Sequence, residues 1–208
     1  MNIAHYLISI ILGYLIGSTM PGFWIGKYFY HTDIRDSGSG NIGTTNTFRI
    51  LGMAPGIVTM IIDILKGTLA TLIPYLLNFD DVNPIIPGIF AVLGHVFSPW
   101  INFKGGKAVA TSAGVVLAIN PLLFLLIAAT FAFLIFLTST VSLSAIATSI
   151  ISIFYSLYFN NQSNTLTIAV IIMSIILIYR HRLNIERIIN LNERTIPFGL
   201  LYWLRKKS

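Results

Sequence analysis

Three short polar stretches hold most of the side chains in this sequence that could do chemistry. The first is Ser37-Gly38-Ser39-Gly40-Asn41-Ile42-Gly43-Thr44-Thr45-Asn46-Thr47-Phe48-Arg49. Its glycines allow a tight turn and a close approach of backbone to a ligand. Thr44, Thr45 and Asn46 suit the cap of a following helix, whose first-turn N–H groups favour a phosphate. Arg49 can grip such an anion bidentately. A flexible loop is the plainer reading of a Gly/Ser stretch, but the adjacent cap and charges favour an anion site.

The second stretch runs Gly94-His95-Val96-Phe97-Ser98-Pro99-Trp100-Ile101-Asn102-Phe103-Lys104-Gly105-Gly106-Lys107. Lys104 and Lys107 flank two glycines just before an apolar run, which puts two cations and a flexible backbone at a helix start. The glycine spacing is not that of a Walker loop, and a basic membrane anchor is the competing reading. His95 alone is more often a helix-packing residue than a catalyst. The third stretch begins His181-Arg182-Leu183-Asn184-Ile185-Glu186-Arg187 and reaches Glu193. His181 and Asn184 are three apart and share a helical face; histidine suits proton transfer near neutrality. A polar helix end with a basic anchor is the alternative. Asp63 and Lys66, also three apart, lie inside an apolar run, where ions are costly and usually functional, with a structural pair as the rival reading. The match His31-x4-Asp36 to a His-x4-Asp pattern is discounted as chance.

The elements that must position these residues are membrane helices. Hydrophobic residues make up 55% of the 208 positions and charged residues 10%, against about 25% charge in an ordinary soluble domain. Seven apolar segments stand out, at 3–25, 54–77, 85–100, 108–119, 122–137, 141–159 and 166–179. The fourth is short for a full span. The first is too long, and lacks the basic start, for a cleaved leader. Basic residues gather at 27–49, at 102–107 and in the tail, where Arg180, Arg182, Arg187, Arg194, Arg205, Lys206 and Lys207 stand. The turns at 78–83 and 160–164 have none. The basic segments therefore belong on the cytoplasmic side, with the N-terminus outside and the C-terminus cytoplasmic. Residues 184–201 alternate apolar and basic, as an interfacial helix would, with Trp203 at headgroup level. The expectation is an all-α, polytopic bundle of about seven spans forming a single domain over 1–208.

The chain has no cysteine, which excludes disulfides and thiolate chemistry. Its few acidic residues are scattered, so no metal is implied. The net charge of +6 is too diluted by apolar sequence to indicate nucleic acid.

Taken together, the stretches resemble the bacterial membrane-bound acyl-phosphate:glycerol-3-phosphate acyltransferase family. The resemblance rests on Gly38-Ser39-Gly40-Asn41-x-Gly43-x-Thr45-Asn46 with Arg49, on Gly94-His95-x-Phe97 through Lys104-Gly105-Gly106-Lys107-x-Val109-Ala110-Thr111, on His181-x-x-Asn184-Ile185-x-Arg187 with Glu193, and on Asp63-x-x-Lys66-Gly67. It implies acyl transfer from acyl phosphate to glycerol 3-phosphate, giving lysophosphatidic acid, the first step of phospholipid synthesis, at the cytoplasmic face of a bacterial inner membrane. It implies catalytic roles for Ser39 and Arg49 and supporting roles for His181 and Asn184. It further implies glycerol 3-phosphate binding by Lys104, Gly105, Gly106 and Lys107, and a structural role for Glu193. No cofactor is implied, and a soluble acyl-phosphate-forming enzyme is implied as a partner. The alternative reading is a transporter or channel for a phosphorylated organic anion. It is disfavoured because only Asp63 and Lys66 lie deep in the apolar sequence.

Overall fold

The structure, a computed structural model, describes residues 2–158 and 164–207. Among them all regular structure is helical, in two compact units, Met1–Asn120 and Pro121–Ser208. Most of the neutral turn expected at 160–164 lies outside the described residues.

The first unit contains α1 (Ile3–Ser18), α2 (Pro21–Phe29), α3 (Thr44–Leu51), α4 (Met53–Leu76), α5 (Ile85–Val96) and α6 (Val109–Ile119). The apolar run at 3–25, expected as one helix, is two helices bent by 43°. Pro21 is the cause. It offers no N–H and drives the preceding residue out of helical geometry, and Met20 sits at φ −121°, ψ 77°. The break releases the Thr19 carbonyl from the helical ladder.

α4 has 24 residues, about 36 Å at the helical rise, enough for a hydrocarbon core of roughly 30 Å. Its outward stripe is Ile57, Ile61, Leu65 and Leu69, all exposed, while its buried face carries Thr59, Asp63, Lys66, Gly67 and Thr71. This inversion of the soluble pattern follows from the solvent. Lipid is as apolar as leucine, so helices associate through close packing of small residues and interhelical polar contacts. Close approach recurs where α1 meets α5 and where α4 meets α6. A Cβ added at Gly17 or Gly94 would run into the carbonyl of Ala91 or Tyr14; one at Gly67 or Gly114 would run into that of Thr111 or Ile64.

The second unit contains α7 (Pro121–Thr138), α8 (Val141–Tyr158), α9 (Asn164–Arg180), α10 (Arg182–Ile189) and α11 (Leu200–Lys207). α8 buries Ser142, Ser144, Ser149, Ser152 and Ser156. Ser174 of α9 donates to the Ser149 carbonyl at 3.0 Å, and Thr167 donates to the Ser156 carbonyl at 3.1 Å. α9 and α10 meet at 60°. The interfacial helix expected over 184–201 is not continuous. α10 ends at Ile189, Leu191 and Gly199 have positive φ (56° and 106°), and α11 begins at Leu200. Pro197, which cannot donate to a helical ladder, falls in the gap. The Ile196 N–H donates to the Ser139 carbonyl at 2.8 Å and the Tyr202 N–H to Ser139 Oγ at 3.0 Å, fastening the tail. Trp203 packs edge-on against Phe136 and Phe198.

Among the described residues three helices (α4, α7 and α8) are long and apolar enough to cross a membrane, and up to five spans result if α1 with α2 and α9 with α10 each count as one. α5 and α6 are shorter apolar helices. The all-helical membrane architecture expected from the sequence is the one observed.

Candidate active site

In the first unit the glycine loop is built around Asn46. Its Oδ1 accepts from the Ser39 N–H at 2.9 Å, and its Nδ2 donates to the carbonyls of Ile34 (2.7 Å) and Ser37 (3.2 Å). Asn46 is buried, so these bonds act in a low-dielectric setting where leaving them unmade would be costly. Gly38 and Gly40 take left-handed φ of 65° and 68°. At Gly38 there is no room for a side chain either, since a Cβ would collide with Asn46 Oδ1 and lie 3.3 Å from Arg49 Cδ. The stem of Arg49 thus folds back over the turn that presents Ser39. Both residues are exposed. Asn41 Oδ1 accepts from the Gly43 N–H at 2.9 Å, and the Asn41 N–H points to Ser39 Oγ at 3.4 Å.

The expected capping is made differently. The residue before α3 is Gly43, with no side-chain cap bond. Thr44 occupies the first helical position and reaches instead towards Asp63 Oδ2, at 3.4 Å. Asn46 is spent on the loop. Thr45 is half-buried in the first turn, just before Asn46 and Thr47, whose N–H groups donate to the Gly43 carbonyl at 3.0 and 3.2 Å.

Asp63 and Lys66 are 2% and 4% exposed and form an ion pair at 2.7 Å. The Lys66 ammonium also donates to the Thr19 carbonyl (2.6 Å) and to His95 Nδ1 (2.8 Å). The ammonium is thereby ion-paired once and hydrogen-bonded twice, the condition under which a buried charge is tolerable. Asp63 Oδ1 is also 3.6 Å from His95 Nδ1, but the nearer ammonium can only donate. Nδ1 is therefore an acceptor, and the ring proton resides on Nε2. Thr111 Oγ1 lies 3.2 Å from the same Nδ1.

The basic turn rests on this histidine. The Gly106 N–H donates to the His95 carbonyl at 3.1 Å and the Gly105 N–H to the Val96 carbonyl at 3.0 Å. Gly105 and Gly106 are buried, Lys107 is half-buried and Lys104 is exposed. The glycine loop, the buried pair and the basic turn are thus one connected construction in the first unit. His95, considered alone in the sequence, proves to be a partner of the pair.

In the second unit His181 stands at the bend between α9 and α10, 3% exposed. Its Nδ1 donates to the Leu177 carbonyl at 2.8 Å, which in the neutral ring leaves Nε2 as the basic nitrogen. Asn184 is buried one turn on, and its Nδ2 donates to Glu193 Oε1 at 2.7 Å. Glu193 also accepts from Ser142 Oγ at 2.8 Å and from Arg187 Nε at 2.8 Å. Burial pushes the Glu193 carboxyl up, but the hydrogen bonds from Arg187, Asn184 and Ser142 outweigh it and hold the group below its ordinary value. Sequence reasoning missed Ser142. The signal was present in the buried serines of α8, of which Ser142, Ser149, Ser152 and Ser156 share one face. His31 of the discounted pattern is exposed with φ 50°.

A family model described as glycerol-3-phosphate acyltransferase matches residues 7–191. A protein of that description from Streptococcus thermophilus (strain CNRZ 1066) is 46% identical over 201 residues, covering 93% of this chain and 94% of the relative. Another, from Limosilactobacillus reuteri (strain DSM 20016), is 52% identical over 200 residues, covering 96% and 95%. Among solved structures, PlsY, described as an integral membrane glycerol 3-phosphate acyltransferase in its glycerol 3-phosphate form, superposes with a TM-score of 0.86 at 34% identity, covering 96% of this chain and 98% of that one. Its lysophosphatidic acid form gives 0.84 at 32% identity with the same coverage. These relatives favour acyl transfer over transport of a phosphorylated anion. With its three polar segments inside the matched region or just past its end, the chain belongs to the glycerol-3-phosphate acyltransferase family.

Proposed function

We propose that this protein transfers an acyl group from an acyl phosphate to the 1-hydroxyl of sn-glycerol 3-phosphate, giving lysophosphatidic acid and inorganic phosphate. The observation that carries the reading is the continuous construction of glycine loop, Arg49 and Lys104–Lys107 turn in a chain whose relatives are named for that acceptor. Both substrates bring phosphate, so cations and oriented N–H groups are what their charges require.

The acceptor hydroxyl oxygen attacks the acyl carbonyl carbon, the bond from that carbon to the phosphate oxygen breaks, and phosphate leaves with the bonding pair. An acyl phosphate is a mixed anhydride with a good leaving group, so the step asks chiefly for positioning and charge stabilisation. Ser39 orients the acyl phosphate and Arg49 stabilises its phosphate. Gly38, Gly40, Asn41, Gly43, Thr45 and Asn46 shape that cradle, and Lys104, Gly105, Gly106 and Lys107 hold glycerol 3-phosphate. The hydroxyl proton passes to a phosphate oxygen of the substrate, and in the second unit His181 and Asn184, the latter fixed by Glu193, support activity. The acyl chain lies among helices, in lipid. The apolar helices cross the inner membrane in about seven spans, the basic loops face the cytoplasm, and a soluble acyl-phosphate-forming enzyme supplies the donor.

Purified protein should use palmitoyl phosphate as donor and leave palmitoyl-coenzyme A unused, with no acyl-Ser39 adduct in the intact-mass spectrum. Transfer from the thioester alone would overturn the donor assignment, and a trapped acyl-Ser39 would overturn direct transfer.

A further inference from the structure

We infer that His95, held by the Asp63–Lys66 pair, is a positioning residue that sets the backbone of the Lys104–Lys107 turn and so tunes binding of the acceptor phosphate; this rests on the function proposed above. Three observations carry it. The turn has no helix of its own between Asn102 and Ala108, so its shape must come from what it lies on. What it lies on is the end of α5, where Gly105 and Gly106 donate to the Val96 and His95 carbonyls. And the His95 ring occupies the space beside Gly106, because a Cβ built there would collide with Nε2, the ring atom opposite the one Lys66 holds.

The ring's orientation is in turn over-determined. Lys66 Nζ at 2.8 Å and Thr111 Oγ1 at 3.2 Å both address Nδ1. Lys66 is itself fixed by Asp63 and by the carbonyl that the proline break at Pro21 released. Thr44 links Asp63 to the first turn of α3. Four helices and the α1–α2 break therefore converge on one buried ammonium. A shift of that ammonium would move the floor of the basic turn and the start of α3 together. None of Asp63, Lys66 or His95 has to touch substrate for this, since a displacement of about 1 Å at a binding group is enough to cost on the order of a hundredfold.

The test uses the full-length protein in lipid with palmitoyl phosphate saturating and glycerol 3-phosphate varied. Gly106→Ala should raise KM for glycerol 3-phosphate by tenfold or more while kcat falls less. His95→Ala should raise it as well, by loosening the floor. The two share one mechanism, so Gly106→Ala combined with His95→Ala should be no worse than the poorer single variant. Losses that multiply in the double variant would overturn the inference. So would a His95→Ala enzyme with unaltered KM. His95→Asn, which keeps an acceptor for Lys66 on a smaller side chain, should recover part of the KM lost in His95→Ala and guards against a folding artefact. Failure of the wild type to make lysophosphatidate would count instead against the proposed function.

Discussion

Replacing Lys66 by methionine keeps an unbranched stem and removes the charge. Asp63, 2% exposed, is left with its carboxylate buried, and the Thr19 carbonyl and His95 Nδ1 each lose a donor. Breaking a buried ion pair from one side costs about 3–5 kcal/mol, because the remaining charge is left without its counter-ion in a low-dielectric interior. A chain of this size loses roughly 2–4 °C of unfolding midpoint per kcal/mol. The expected fall is therefore about 6–20 °C, read as a thermal scan in one detergent at one scan rate, since membrane proteins seldom unfold reversibly. Combining Lys66→Met with Asp63→Asn removes both charges, and the midpoint should return to within about 5 °C of wild type, because a neutral pair carries no uncompensated ion. If the single variant unfolds where the wild type does, or where the double variant does, the pair is not the buried, mutually dependent unit described here.

Asn46→Ala removes three bonds at once and takes a donor from the buried Ile34; kcat for acyl transfer should fall by about fivefold to a hundredfold, for a loss of roughly 1–3 kcal/mol in holding the Ser39 loop. Gly114→Leu drives a side chain into the Ile64 carbonyl and should leave little folded protein by size-exclusion chromatography, whereas Leu125→Ala, exposed on α7, should leave that profile unchanged. The Glu193 carboxyl is held below its ordinary 4.5 in the folded protein, so its stabilisation is present above roughly that pH and is lost as pH falls through the folded value. Glu193→Gln should consequently flatten the fall in thermal midpoint between about pH 5 and pH 3, and an unchanged acid slope would show that the clasp contributes nothing.

The sequence made the chemistry legible more readily than the geometry. Composition and seven apolar runs were enough for an all-helical membrane protein, and the glycine loop, basic turn and His181 segment were recognisable from residue type and order. The Asp63–Lys66 pair could be read from its three-residue spacing, because i,i+3 side chains share a helical face. What joined that pair to the rest could not. The Thr19 carbonyl became an acceptor only because Pro21 broke a run that otherwise reads as one helix. His95 lies 29 residues beyond Lys66 and Thr111 another 16 beyond His95, and each meets its partner only through helix packing. Apolar–basic alternation at 184–201 imitated an amphipathic helix. Glu193 instead bends back to Asn184, Arg187 and Ser142, and the tail is pinned on Ser139. Long-range hydrogen bonds of this kind leave no local periodicity to read.

The central claim is a direct transfer centred on the glycine loop, and product stoichiometry tests it most directly. Purified protein in lipid, given palmitoyl phosphate and labelled glycerol 3-phosphate without added metal or coenzyme A, should release one phosphate for each lysophosphatidate formed. Ser39→Ala, correctly folded, should form neither product at a measurable rate. Lysophosphatidate made at the wild-type rate by Ser39→Ala, or phosphate released without lysophosphatidate by the wild type, would contradict the account.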